Sequence, residues 1–264
     1  MFRLKVVNQQ GEEIISEEGK EEVNLVCRHV YEPGDQIILE TEEKQVFVWF
    51  QLDDALGESM IYLTGNAVFT VPFEEKRNNI SPKAFYGDVH LLKVRRARKF
   101  EYEQYRNLAF SVVDHHANTT YFPHAVANVE TRGESVFAAQ NAIDGNTSSN
   151  SHGDWPYESW GINRQDDATL RILFGRKVKI DRVILYLRTD FPHDNWWESA
   201  KLRFSDGSVE TVKLEKRAGG QEFLLEEKTV EWVQLEQMQK ADDPSPFPAL
   251  TQIKIYGREA SIRD

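Results

Sequence analysis

The sequence predicts an all-β chain made of two β-sandwich domains, and three observations point there. Short apolar runs rich in β-branched and aromatic residues recur along the chain, and turn-forming residues punctuate them. The second half then repeats the strand-and-turn rhythm of the first. With 264 residues, 40% of them hydrophobic, the chain is long enough for one large or two modest domains with packed cores.

Residues 1–100 make the first expected domain, a β-sandwich without an assigned role. Residues 2–7, 22–27, 36–40, 45–52, 60–63 and 66–71 read as strands, with a turn at Glu32-Pro33-Gly34-Asp35. The run 45–52 is apolar at nearly every position, as a central strand is. No Ser/His/Asp cluster and no glycine-rich phosphate loop occurs here. A less regular bridge follows from about Phe73 to Tyr105, carrying the basic run Lys93-Val94-Arg95-Arg96-Ala97-Arg98-Lys99. That run reads as a solvated segment between the domains. Residues 101–106 fit either a short helix or a strand.

Residues 107–258 make the second expected domain, a sandwich or jelly roll. Its strands are expected at 168–174, 182–187, 199–204, 211–213, 223–225, 229–235 and 251–256, with a hairpin turn at Ser205-Asp206-Gly207-Ser208. The loops 148–165 and 188–199 are long and rich in Trp, His, Asp and Arg, a composition that marks loops as functional.

Acids outnumber bases 43 to 32, a formal net charge of -11. That balance argues against a nucleic-acid backbone or an anionic membrane as the main partner. The single cysteine, Cys27, allows no intrachain disulfide. The first residues lack the apolar core of a secretory signal, and no run reaches the length of a membrane span. Cytoplasmic is therefore the default expectation, with an extracellular location left open.

Two stretches carry the functional residues. Asn141-Ala142-Ile143-Asp144-Gly145-Asn146 is a tight turn of small oxygen-bearing residues, which suits a hard cation or simply an Asp-Gly turn. His152 and Trp155 follow it, a hydroxyl-binding edge beside an apolar ring face. The second stretch is Arg188-Thr189-Asp190-Phe191-Pro192-His193-Asp194-Asn195-Trp196-Trp197. Arginine, carboxylates and aromatic rings together form a sugar-recognising set. If strand-like alternation continues there, Trp196 and Trp197 point opposite ways, one toward the core and one toward the ligand. The alternative is that these rings pack the loop onto the domain. Trp160, in Trp160-Gly161-Ile162-Asn163-Arg164, adds an aromatic at the same end, and Glu134 could reach it as an acceptor.

Other constellations are weaker. His115 and His116 with Asp114 and His124 could suggest a metal cluster, but sequence neighbours on a strand point apart. Carboxylates for glycoside hydrolysis could be drawn from Asp154, Glu158, Asp166, Asp167, Asp190 and Asp194, although in so acidic a chain some pair is expected by chance. No nucleophile elbow, P-loop, zinc signature or dinucleotide fingerprint is present.

Three anchors in order make residues 107–257 resemble a discoidin (coagulation factor 5/8 type C) domain, and in particular a family-32 carbohydrate-binding module. They are Ala142-Ile143-Asp144-Gly145-Asn146, then Asp181-Arg182-Val183-Ile184-Leu185-Tyr186-Leu187-Arg188, then the closing Thr251-Gln252-Ile253-Lys254-Ile255-Tyr256-Gly257. The resemblance implies a galactose-binding-like jelly roll and a lectin-like, galactose-type glycan partner. It implies His152, Trp155 and Arg188 as sugar contacts. It also implies a structural calcium held by Asp144, by carbonyls near Asn141 and Asn146, by Ser149, and by Gln252. The last is a departure, since the family carries a glutamate there.

The resulting expectation is a non-catalytic carbohydrate-binding protein. Trp155, Trp160, Arg188 and His152 would bind the sugar, with Asp190, His193, Asp194 and Trp196 assisting. Two rivals stand beside it: an intracellular protein–protein interaction or assembly module, and a carbohydrate-active hydrolase with its site between the domains.

Overall fold

Strict alternation shapes the first half. In the computed structural model, which describes residues 1–260, β1 (Phe2–Val7) buries Phe2, Leu4 and Val6 completely while Arg3 and Lys5 take the other face. It lies in an antiparallel sheet with β2 (Glu13–Gly19), β4 (Gln36–Thr41) and β7 (Ala67–Thr70), in the order β2-β1-β4-β7. The facing sheet holds β3 (Glu22–Cys27), β5 (Val46–Gln51), β6 (Ser59–Leu63) and β8 (His90–Arg96), in the order β6-β5-β8-β3. Leu4, Val6, Leu25, Ile37, Leu39, Val48, Phe50 and Leu63 fill the space between the sheets.

Two elements depart from the sequence expectation. The edge strand β2 reads Glu-Ile-Ile-Ser-Glu-Glu-Gly and is mostly exposed, so it carries no alternation to betray it. The basic run is no solvated bridge, since Lys93 to Arg96 form the end of β8, between β5 and β3. Leu92 and Val94 point inward with no exposed surface, and the bases point outward. Arg95 grips Glu101 at 2.8 and 3.0 Å and covers the Trp49 ring at 5.4 Å, while Arg96 binds Glu43 and Glu21. The stretch open between helix and strand contains both, α1 (Lys99–Tyr102) and then β9 (Arg106–Asn107).

The second half is a jelly roll built on long bent strands. Although β10 (Tyr121–Phe122) falls within the expected second domain, it is an edge strand of the first half's sheet; the roll comprises β11 (His124–Ala127), β12 (Trp160–Gly161), β13 (Leu170–Leu187), β14 (Trp197–Phe204), β15 (Val209–Lys213), β16 (Gln221–Lys240) and β17 (Ala249–Glu259). The sheet order is β12-β17-β13-β16-β14-β15, all antiparallel, with β11 added to β13 and β9 to β17. Runs 168–174 and 182–187, expected apart, lie largely within β13. Runs 223–225 and 229–235 likewise join in β16. Along residues 170–173, β13 is flanked by β11 and β16; from Val178 onward β17 replaces β11. Gly175, at φ +67°, makes the bend, and a Cβ there would meet the Phe122 ring at 2.2 Å. Exchanging neighbours at a bend closes the roll around Trp160, Phe174, Leu185, Trp197 and Phe204.

The halves meet in two places. Strand β10 pairs with β6 of the first half, and Val113 and Tyr121 belong to its core. Arg176 lies 4.7 Å from the Phe47 ring centroid and 4.9 Å from that of Tyr62, while donating to both oxygens of Glu259. At the second place Asn79 donates to Asn141 at 2.8 Å, Ser135 to the Glu75 carbonyl at 2.6 Å, and the Trp155 amide to the Asn78 carbonyl at 2.7 Å.

Candidate ligand-binding site

Arg188 is the first residue past β13, and its backbone N–H donates to the Ala249 carbonyl at 3.1 Å. The residue is 5% exposed, and its side chain donates to Asp194 and, at 3.1 Å, to the Phe247 carbonyl. Asp194 also accepts the Asp190 N–H at 3.1 Å, which folds the loop back on its own arginine. Burial raises the Asp194 carboxyl above its ordinary value, and the Arg188 guanidinium opposes that rise. A buried, charge-assisted pair of this kind orients more than it stabilises. Asp190 in turn holds His152 through its Nδ1, and the His152 and His193 rings lie 6.4 Å apart. Ser245 ties the carbonyl of His193 to the loop that carries Phe247.

These groups surround one concavity of about 230 Å³. His152, Arg188, His193 and Asp194 line it, all of them expected from sequence, together with Phe137, Phe247, Arg132 and Arg164. Asp190 is outside the lining and joins it through His152, His193 and Asp194. The expected tryptophans are elsewhere. Trp155 is 43% exposed but lies outside the lining, beside the Asn78 segment. Trp160 has no exposed surface; its ring packs 6.5 Å from that of Trp197 and its N–H donates to the Val129 carbonyl at 3.0 Å. Trp197 is the core-facing member of its pair. Trp196 is half-buried with Lys216 over its ring at 4.7 Å and does not reach the concavity.

Ring faces at the site come instead from Phe137 and from Phe247, which is 37% exposed. Sequence reasoning passed over both. Phe137 lies in the apolar run Ser135-Val136-Phe137-Ala138-Ala139, which reads as core. Phe247 stands alone in Pro246-Phe247-Pro248, and the only signal was an aromatic in a proline-rich loop. Glu134 is held by Arg132 at 2.5 and 2.7 Å.

The turn at Asp144 shows how a cation would fare there. Gln252, fully buried, donates its Nε2 to the Asn141 carbonyl and to Asp144 Oδ1, both at 2.6 Å. Its Oε1 accepts the Gly145 N–H at 3.1 Å, which fixes the orientation of the amide. Donor hydrogens therefore face the oxygens that calcium would need, and the residues as placed do not fit the ion. Asn146 is committed to the Pro156 carbonyl and Glu158, and Ser149 shares its hydroxyl with Thr189. Among the described residues no three His, Cys, Asp or Glu side chains converge as a metal site. Gly145, at φ +92°, brings the turn so close to Phe110 that a Cβ would sit 2.5 Å from its ring. Burial, with the Glu158 carboxylate beside it, raises Asp144 well above its ordinary value, and Glu158 is raised as well.

Most of the remaining candidates are occupied individually. Of the carboxylates considered for hydrolysis, Asp190 holds His152, Asp194 holds Arg188, Glu158 takes Asn146, and Asp166 meets Lys240 at 2.9 Å. The histidines do not converge on one point. His115 Nε2 bonds the Val68 carbonyl at 3.0 Å, His124 pairs with buried Asp114 at 2.8 Å, and His116 is exposed.

A family model described as a domain of unknown function (DUF7402) matches residues 122–245. No curated protein matches the chain. Among solved structures, chitosan-binding module 1 of a chitosanase/glucanase from Paenibacillus sp. IK-5 is similar at 18% identity, covering 57% of this chain and 98% of that one, with a TM-score of 0.40. The family 32 module of C. perfringens NanJ in complex with galactose is similar at 18% identity, over 50% and 91% of the two chains, with a TM-score of 0.38. The lectin domain of lectinolysin complexed with Lewis B antigen is similar at 19% identity, over 58% and 97%, with a TM-score of 0.41. Part of this chain is thus similar to family-32 carbohydrate-binding and lectin modules.

Proposed function

We propose that this chain is a non-catalytic carbohydrate-binding protein whose site is the concavity around Arg188. The observation that carries the reading is the convergence there of Arg188, His152, His193 and Asp194 with the ring faces of Phe137 and Phe247. A sugar presents an apolar ring face and a rim of hydroxyls, and this lining offers a counterpart to each. Phe247 takes the ring face, the two histidines meet hydroxyls, and the Arg188–Asp194 pair holds the directional donors and acceptors in place. One stacked ring and a few hydrogen bonds bind weakly in a single copy and gain strength when several copies act together.

Calorimetry against a panel of mono- and disaccharides, guided by a glycan array, tests the reading. Wild type is expected to bind at least one sugar, and Phe247→Ala to abolish or strongly weaken it with the fold intact. Absence of any sugar signal from folded wild type overturns the reading, as does undiminished binding by Phe247→Ala.

A further inference from the structure

Three cations stand around the concavity, and only one lacks a carboxylate. Arg188 donates to Asp194, and Arg132 grips Glu134 with two hydrogen bonds. Arg164, exposed at the rim, meets no carboxylate among the described residues; its guanidinium lies 4.5 Å from the centroid of the Phe247 ring. Two arginine–phenylalanine pairs therefore flank the site, since Arg132 also covers Phe137 at 5.5 Å. One pair is neutralised within the protein and the other is not.

The backbone treats the two arginines alike, since Arg132 at φ 54° and Arg164 at φ 62° are both left-handed. The Gln165 N–H closes a turn on the Ile162 carbonyl at 2.9 Å, with Asn163 at φ 49° and Arg164 at φ 62°. Both central residues are thus left-handed, a conformation that side chains with a Cβ disfavour and that glycine usually supplies at the second position. What separates the two arginines is the partner: Arg164 lines the concavity with no hydrogen bond or ion pair among the described residues, so its N–H groups are open to something outside the chain. The contact with Phe247 engages none of the guanidinium N–H groups in a hydrogen bond among the described residues, which leaves them for a bidentate oxyanion.

We propose that the site selects acidic saccharides, with a carboxylate or sulfate on the sugar received by Arg164 as the ring lies against Phe247. The proposal rests on the carbohydrate reading above and adds the charge of the ligand. With the whole chain at -11, attraction is local to this rim and does not steer from a distance.

The test is titration calorimetry of the full chain with galactose, galacturonic acid, glucose, glucuronic acid and galactose 6-sulfate, at low and high salt. Acidic sugars are expected to bind at least tenfold more tightly than their neutral counterparts at low salt, with the difference shrinking as salt rises. Arg164→Gln is expected to reduce the acidic sugars to the affinity of the neutral ones. Preference confined to the uronic acids assigns a carboxylate, and preference confined to the sulfated sugar assigns a sulfate ester. Neutral sugars binding as tightly as acidic ones, or an acidic preference that survives Arg164→Gln, overturns the proposal and leaves the carbohydrate reading standing. No binding by any sugar overturns both.

Discussion

Replacing Gln252 by glutamate asks the turn at Asp144 whether an amide does the work of a cation. Gln252 is fully buried, and its Nε2 donates at 2.6 Å to both the Asn141 carbonyl and Asp144 Oδ1. Glutamate keeps the shape and the acceptor for Gly145 but deletes both donors. Each buried acceptor stripped of its donor costs about 1–3 kcal/mol, so Gln252→Glu is expected to lose about 2–6 kcal/mol without a cation. At about 2–4 °C per kcal/mol for a chain of this size, the melting temperature falls visibly. The same substitution places two carboxylates and a carbonyl around one point, which is what calcium prefers. Thermal unfolding followed by fluorescence, in chelator and in millimolar calcium, reads the result. Wild type is expected to melt at one temperature in both. Gln252→Glu is expected to recover in calcium, by about 2.7 kcal/mol when the ion exceeds its Kd 100-fold. A calcium-dependent rise in wild type beyond about 2 °C, which corresponds to roughly 1 kcal/mol, would refute the reasoning.

Three other expectations follow from the geometry. Phe247→Ala should cost at least about 1.4 kcal/mol of sugar affinity, a tenfold loss by calorimetry, whereas Trp155→Ala, outside the concavity, should leave affinity within twofold of wild type. Asp144 and Glu158 are both raised in the fold, so their contribution is fully present below the ordinary carboxylate range and is lost as pH rises through the raised values. Asp144→Asn, neutral at every pH, should donate to Glu158 and gain about 1.5–3 kcal/mol relative to wild type at pH 8, with the gain vanishing toward acid pH in denaturant titrations. Gly175→Ala combines a left-handed φ with a clash against Phe122 and should lose about 2–5 kcal/mol in the same titration.

Legibility in the sequence followed the strength of each physical signal. Strands β1, β3 and β5 were readable because their burial alternates or saturates, and a run such as Phe2-Arg3-Leu4-Lys5-Val6 can bury itself in one way only. Strand β2 was not, because an exposed edge strand needs no apolar face. In β8 the bases concealed a strand whose inward residues, Leu92 and Val94, were plain apolar ones. At the site, the polar members Arg188, His152, His193 and Asp194 stood out because few core positions tolerate them. Tryptophan misled, since the indole that stacks on a ligand and the indole that fills a core look alike without knowledge of which face of a strand they occupy. Phe247 and Arg164 gave no periodic signal, and their pairing depends on two loops some eighty residues apart in the chain.

Arg176, clasped between Phe47 and Tyr62, and Asn79, bonded to Asn141, bear on how this chain can be divided. A fragment starting at residue 107 would keep Val113 and Tyr121 but lose the core that shelters them, and Arg176 and Asn141 would each lose contacts from the first half. Fusion partners and reporter tags therefore belong at the chain ends, and transplanting the jelly roll into another protein calls for polar replacements at positions 113 and 121. The second half is shaped like a portable cassette, yet it is wired into its neighbour in two places.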